Sequence, residues 1–394
     1  MVDQPLLKQH DDRGGGGGGG QPVPGKHIII GLDGTWQAAF RDSFKSNVHR
    51  LNVALNYHDN TWRRSPQIFI YSAGVGTTNL SSRMFAGATG EGLSAIILEA
   101  YINLASNYVP GDKIYIFGFS RGAFAARALT SFIQHSGLLK ANSLGLIENA
   151  WIDYAKKDKA KTAYLEQSAG LTHENVSIEF LGLWDTVIGS YQEERLISQY
   201  RFDNRKPAKK VKTAVHIMSI DDRRTDYKPI PFERRDNQTL EQIWMPGVHS
   251  DVGGGYGKSF LSTVSLLVMI DKIKEYCPDL AFDENYIRNT LIDIVEKEEV
   301  IVNFELNGFW GFRAQAARQV PNNDAHTEHP LVELLRAKTF KNRGSLRPYA
   351  PGFALPGKPK LPATVFKNTS WHEREVNSWL LRKSLNLLPR PANQ

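Results

Sequence analysis

Short apolar runs, rich in β-branched and aromatic residues, recur along the chain, and each stops close to a Gly, Asp or Ser. They are His27 to Leu32, Gln67 to Ser72, Lys113 to Phe117, Val176 to Trp184, Thr213 to Ile220 and Leu240 to Met245. Such continuous runs read as strands covered on both faces. Stretches of helical character, Gly92 to Tyr108 and Ala123 to His135, lie between them, and Leu261 to Tyr276 follows the last. Strand alternating with helix predicts an α/β fold, a mostly parallel central sheet flanked by helices. Ligands of such sheets bind at the carboxyl ends of the strands, so the residues just after each run are the first candidates for chemistry.

The pattern is missing at both ends. Residues 1–25 are polar and contain the run Gly14 to Gly20, which predicts a disordered leader without the apolar segment of a secretory signal. From Pro278 the periodicity loosens: Ile301 to Val320 mixes Phe304, Phe309, Trp310 and Phe312 with glycine, and Arg347 to Pro362 is proline-rich. No flexible linker precedes this part, so the expected organisation is a catalytic domain over 26–277 and a helical and loop extension over 278–394 packed on it as a cap or lid. With 394 residues, 41% of them hydrophobic, the chain has ample material for a large core. The single cysteine, Cys277, excludes an intramolecular disulfide. No apolar stretch reaches the roughly 18 residues of a membrane-spanning helix, and a cytoplasmic place of synthesis is expected.

The strand Lys113 to Phe117 runs into Gly118-Phe-Ser-Arg-Gly122 and then into the helical stretch from Ala123. Strand, sharp turn and helix around Gly-x-Ser-x-Gly make a nucleophile elbow, with Ser120 as the nucleophile. Glycines two residues to either side are needed where strand and helix come too close for a Cβ. The N–H of Arg121, at the helix N-terminus, is a candidate oxyanion donor. A serine needs a general base steered by an acid, in the order Ser, Asp, His for this fold. Of eleven histidines, His249 lies just past a strand in the glycine-rich stretch Pro246 to Gly255; His27 and His216 fall in strands, and His135 at the far end of the elbow helix.

For the acid, spacing leaves open Asp185, at the end of the strand after the nucleophile's, and Asp221-Asp222, at the end of the next. Asp185 is favoured because Asp222 is followed by Arg223 and Arg224, which offer it ion pairs. The second oxyanion donor is expected from Asp33-Gly34-Thr35, just after the first strand, with Gly34 and Thr35 near the reacting carbonyl. Asp33 would hold that loop, and Asp33, Asp222 and Asp251 would border the pocket.

These blocks, with Leu32-Asp-Gly-Thr-Trp36, Ser46-Asn-Val-His-Arg50, Tyr71 to Gly76 and Gly247 to Tyr256, resemble an α/β-hydrolase domain family that includes a class of type VI secretion phospholipase effectors. The resemblance spans about Lys26 to Tyr256. It implies the α/β-hydrolase fold, no cofactor, and hydrolysis of acyl esters, in some members of glycerophospholipids, with Ser120, Asp185 and His249 as the triad. It also implies a secretion-apparatus or immunity partner and export without a signal peptide. The alternatives are an esterase or thioesterase for a soluble acyl substrate, and a non-catalytic binding module.

Charge and near-miss motifs alter this little. The net charge of +7 gathers at Lys156 to Lys161, Arg205 to Lys212 and Arg382-Lys383. Such runs are ordinarily solvated faces; their functional reading is attraction to an anionic surface, phospholipid headgroups or nucleic acid, and no nucleic-acid motif accompanies them. Ile28 to Trp36 looks like the opening of a haloacid-dehalogenase phosphatase, but Gly31 stands where its nucleophilic aspartate must be. Gly257-Lys258-Ser259 ends like a phosphate-binding loop whose first glycine would fall on Val252. A metal site built on Asp33, His249 and Asp251 lacks ligand spacing, so no metal is expected.

Overall fold

The computed structural model describes residues 25–34, 44–57, 65–74, 91–155, 164, 167–188, 205–298, 300–303, 316–318, 325–336, 338–342, 345–349 and 388–389. Seven strands form one central sheet: β1 (His27–Leu32), β2 (Gln67–Ser72), β3 (Lys113–Phe119), β4 (Ile178–Trp184), β5 (Val211–Ser219), β6 (Thr239–Met245) and β7 (His326–Glu328). Their order across the sheet is β2-β1-β3-β4-β5-β6-β7, and every adjacent pair is parallel. This is an α/β-hydrolase-like fold. The chain moves one way from β1 to β2 and the other way to β3, which opens a crevice at the carboxyl ends of β1 and β3.

The isoleucine run of β1 explains why both faces are covered. Side chains alternate across a strand, so Ile28 and Ile30 enter one apolar cluster and Ile29 the other. The first cluster is closed by α2 (Glu91–Asn107) and α3 (Arg121–Ser136), through Leu93, Ile97, Leu104, Phe124 and Leu129. The second is closed by α1 (Asn47–Ala54) and by a later helix, Phe260–Tyr276, through Val48, Leu51, Val264 and Ile270. Ser46 caps α1, its hydroxyl accepting the His49 N–H at 3.2 Å.

The six expected strands all form; β3 runs two residues further, to Phe119. Two features were not foreseen. Helix α1 lies in the stretch read only as a motif at Ser46 to Arg50. Strand β7, three residues long, is too short to show periodicity, yet it pairs with β6 through Gln242–His326, Ile243–Thr327 and Trp244–Glu328. Val300, Val302, Leu331, Val332 and Leu335 join the same core as β5 and β6. These residues past 278 are thus continuous with the central sheet and its core, while Lys338–Asn342, Ser345–Pro348 and Leu388–Pro389 form a separate three-stranded antiparallel sheet. The leader, and the aromatic stretch Phe304 to Phe312 expected to act as a lid, lie outside the described residues. Among the described residues no helix is long and apolar enough to cross a membrane.

The crossing of β3 into α3 depends on two glycines. A Cβ on Gly118 would stand 2.6 Å from the Ala123 Cα, and one on Gly122 would stand 2.2 Å from the Leu32 carbonyl oxygen at the end of β1. Both obstacles are backbone, which has nowhere to go. Gly122→Ala is therefore expected to cost about 3 kcal/mol or more, or to prevent folding. Urea unfolding measures this, and an unchanged midpoint would contradict the packing of elbow against β1.

Candidate active site

Ser120 occupies the single residue between β3 and α3, at φ 60° and ψ −125°. A residue with a Cβ is strained there and keeps the geometry only if its surroundings impose it. They do so from β4: the Ser120 N–H donates to the Trp184 carbonyl at 3.0 Å, and the Ser120 carbonyl accepts from Val187 N–H at 3.4 Å. Arg121 follows as the first residue of α3, so its N–H is one of those a helix cannot satisfy internally.

Asp185 follows β4 directly, with φ at 39° and its own N–H donated to Ile217 at 2.7 Å. Its carboxylate is fully buried and touches the His249 ring, Nδ1 to Oδ2, at 2.7 Å. It also accepts the Ser219 N–H at 2.9 Å and the Ser219 hydroxyl at 3.2 Å. The Arg318 guanidinium closes on both oxygens, at 2.6 and 2.9 Å. Burial works against ionisation, but the Arg318 charge and the His249 hydrogen bond outweigh it and hold the carboxyl well below the usual range. With Nδ1 engaged by the carboxylate, Nε2 is left to handle a proton.

His249 is not on an open loop. It begins a short helix, His249–Gly253, that follows β6, and its ring lies between Phe119, at 4.6 Å between centroids, and the edge of Tyr227, at 4.9 Å. Phe119 is the neighbour of Ser120, so the elbow itself forms one wall for the imidazole. Of the two acids left open by spacing, Asp185 reaches the ring. Asp222 accepts only the His249 backbone N–H, at 3.1 Å, and its oxygens are forked by Arg224 Nε and a terminal nitrogen at 3.0 and 2.6 Å. Asp221 accepts the Gly247 N–H at 2.7 Å and the Tyr349 hydroxyl at 2.9 Å.

Asp33 binds the hydroxyls of Ser46 and Tyr71 at 2.5 and 2.7 Å. Gly34 runs beside the nucleophile: a Cβ there would stand 3.2 Å from the Ser120 Cβ. The Gly34 N–H, the expected second oxyanion donor, lies 2.7 Å from Asp33 Oδ1. Thr35 lies outside the described residues. Asp251 is buried and faces the cap of the His249 helix, accepting the N–H groups of Val248 and Asn303 at 3.0 Å each and the Asn303 amide at 2.6 Å. Among the described residues no group of His, Cys, Asp and Glu is arranged to hold a metal.

Arg318, which contacts both oxygens of Asp185, is a residue of the site to which nothing in the sequence pointed. It stands 133 positions from Asp185, in a stretch with no motif, and only tertiary contact reveals it. The basic segment Arg205 to Lys212 runs into the first residues of β5 and so lies at the amino end of the sheet, while Ser120, Asp185 and His249 follow the carboxyl ends of their strands; the nine residues of β5 separate the two ends by roughly 25 Å. Lys212 pairs there with Glu179 at 2.7 Å and Arg205 with Glu233 at 3.6 Å. The clusters at Lys156 to Lys161 and Arg382-Lys383 lie outside the described residues.

A serine elbow beside a buried aspartate–histidine pair, at the carboxyl ends of a parallel sheet, is the arrangement of the α/β-hydrolase class. Residues 26–272 match the family model "T6SS, Phospholipase effector Tle1-like, catalytic domain", and the chain belongs to that family. It is 30% identical over 236 residues to "Uncharacterized protein YEL023C" of Saccharomyces cerevisiae, covering 53% of this chain and 33% of that protein. The chain thus spans about a third of the curated relative it matches. Two solved structures overlap it partially. An uncharacterized Pseudomonas aeruginosa protein gives a TM-score of 0.42 at 20% identity, over 69% of this chain and 48% of the other. A Tle1 effector bound to the VgrG spike of a type 6 secretion system gives 0.37 at 21% identity, over 60% and 52%.

Burial pushes the Asp251 carboxyl up to about 7, against the pull of three N–H donors. A carboxyl raised on folding contributes stability that is complete below its unfolded value near 3.8 and is lost as pH rises through 7. The stability of the wild type relative to Asp251→Asn should therefore fall between about pH 4 and 7.5, by about 4 kcal/mol. Denaturant titrations of both proteins across that range test this, and a gap constant with pH would refute it.

Proposed function

We propose that the chain is a serine hydrolase that cleaves carboxylic acyl esters of glycerophospholipids through an acyl-enzyme. The observation that carries the reading is the buried 2.7 Å contact between His249 Nδ1 and Asp185, packed against the strained elbow of Ser120. His249 Nε2 takes the Ser120 proton as the serine oxygen attacks the acyl carbonyl. Asp185 steadies the imidazolium, which returns the proton to the departing alcohol. Water activated by the same histidine then frees the fatty acid and regenerates the serine. The Arg121 N–H, at the start of α3, supports the oxyanion, with the Gly34–Thr35 loop as the partner donor.

The phospholipid substrate rests on family membership, as does a carrier or immunity protein of a type VI secretion system as partner. Cutting acyl esters with the elbow and pair is common to all members of this reading, whichever lipid is bound.

A fluorophosphonate probe should label the wild type and not Ser120→Ala, and phospholipid vesicles should release fatty acid. Ser120→Ala and His249→Ala should each remove most activity, with the double variant no worse than either, since the pair acts as a unit. Unlabelled wild type would refute the serine mechanism, and brisk cleavage of short soluble esters without vesicle hydrolysis would refute the lipid substrate. Asp185→Asn should lower kcat roughly 10⁴-fold, as for a histidine that loses its orienting acid. Asp222→Asn, which leaves the ring contact in place, should cost far less, and the reverse order would move the acid's role to Asp222.

A further inference from the structure

Arg318 lies beyond the residues that match the catalytic domain, yet it is buried against that domain's acid. A guanidinium has five N–H donors, and Arg318 makes five contacts with them. Nε donates to the Asp222 carbonyl at 3.1 Å; one terminal nitrogen donates to Asp185 Oδ1 at 2.6 Å and the Ser219 carbonyl at 2.8 Å; the other to Asp185 Oδ2 at 2.9 Å and the Tyr227 carbonyl at 2.7 Å. One side chain thus ties the turn after β4, the end of β5 and the loop over 220–227. That loop carries Tyr227, whose edge meets the His249 ring, and Asp222, which holds the His249 N–H.

We propose that Arg318 is a positioning residue for the acid–base pair, and that residues outside the matched catalytic domain therefore complete the site. The inference rests on the serine-hydrolase reading above. Bracing alone does not call for a buried arginine, because well-packed apolar residues often stabilise a core as well as a buried ion pair. Charge is what they cannot replace. A buried carboxylate facing only an imidazole favours a proton on that ring, and a ring already protonated cannot accept the serine proton. The fixed positive charge on the other side of Asp185 keeps the carboxylate ionised and the ring available as a base.

The other charged and titratable groups around the pair are already committed. Asp222 is forked by Arg224, Asp221 is bound by Gly247 N–H and the Tyr349 hydroxyl, and Asp251 accepts from Val248 and Asn303. Arg224 also covers the Tyr227 ring, at 3.6 Å to its centroid, and His216 takes the Thr186 N–H on Nε2 and is kept neutral by burial. None of these touches the Asp185 oxygens.

The full chain, as wild type, Arg318→Met and Arg318→Lys, is assayed with a short soluble ester from pH 5 to 9, and rates are normalised to sites titrated by a fluorophosphonate. For Arg318→Met the expected result is a kcat lowered about 100-fold per titrated site, with KM within a few-fold. Its acid limb of kcat/KM should move up by about one pH unit, because a neighbouring positive charge is gone. Arg318→Lys keeps the charge and loses the fork, so its acid limb should stay near the wild type while kcat falls about tenfold. It carries the test if the methionine variant does not fold. Variants that lose only the number of titrated sites, with wild-type kcat and acid limb per site, would overturn the inference and leave Arg318 a structural brace. A wild type that neither labels nor turns over would instead overturn the hydrolase reading, and this inference with it.

Discussion

A carboxylate taken wholly out of water must be surrounded by donors or lose its charge, and the geometry around Asp185 follows from that constraint. Its two oxygens receive a backbone N–H and a hydroxyl from Ser219, an imidazole from His249 and both arms of Arg318. The three donor residues come from different parts of the chain, so ionising this one group requires β4, β5, the helix after β6 and a segment near residue 318 to be in place together. Stability and chemistry are coupled at that point: the contacts that keep Asp185 charged are the ones that aim His249.

The sheet makes this meeting possible. In a parallel sheet all strands end on the same side, and short turns after β1, β3, β4 and β6 bring Asp33, Ser120, Asp185 and His249 to one rim. The strain at Ser120 is sustained by hydrogen bonds from β4, not by the elbow sequence alone. Phe119 serves both sides of the site, ending β3 next to Ser120 and packing against the His249 ring. The supporting acids divide the remaining work by partner: Asp222 holds the backbone of His249, Asp251 caps its helix, and Asp33 fixes the loop that passes the nucleophile.

Much of this was legible in the residues themselves. Uninterrupted apolar runs ending in Gly, Asp or Ser marked six of the seven strands, because a strand buried on both faces cannot afford polar positions. The elbow was legible because strand, Gly-x-Ser-x-Gly and helix follow one another without a break, although the obstacle that demands Gly122 is the distant carbonyl of Leu32. The contact of Asp185 with His249, in contrast, spans 64 positions, and spacing along the chain left Asp222 open as its rival. Strand β7 was not legible, since three residues carry no period.

What the sequence determined by itself was whatever depends on near neighbours: the alternation of strand and helix, the sharp turn at Gly118 to Gly122, and the family to which residues 26–272 belong. What only the tertiary structure decided was which charges meet. Arg224 forks Asp222 two residues away, so that acid is occupied by its own local chain, whereas Asp185 waits for an arginine 133 residues on. The basic run before β5 is obvious in the sequence, yet the direction of its strand carries it to the end of the sheet away from the serine. Electrostatic partners are chosen by distance in space, and distance in space is set by how the strands stack and which way they point. A linear sequence contains that information only through the fold.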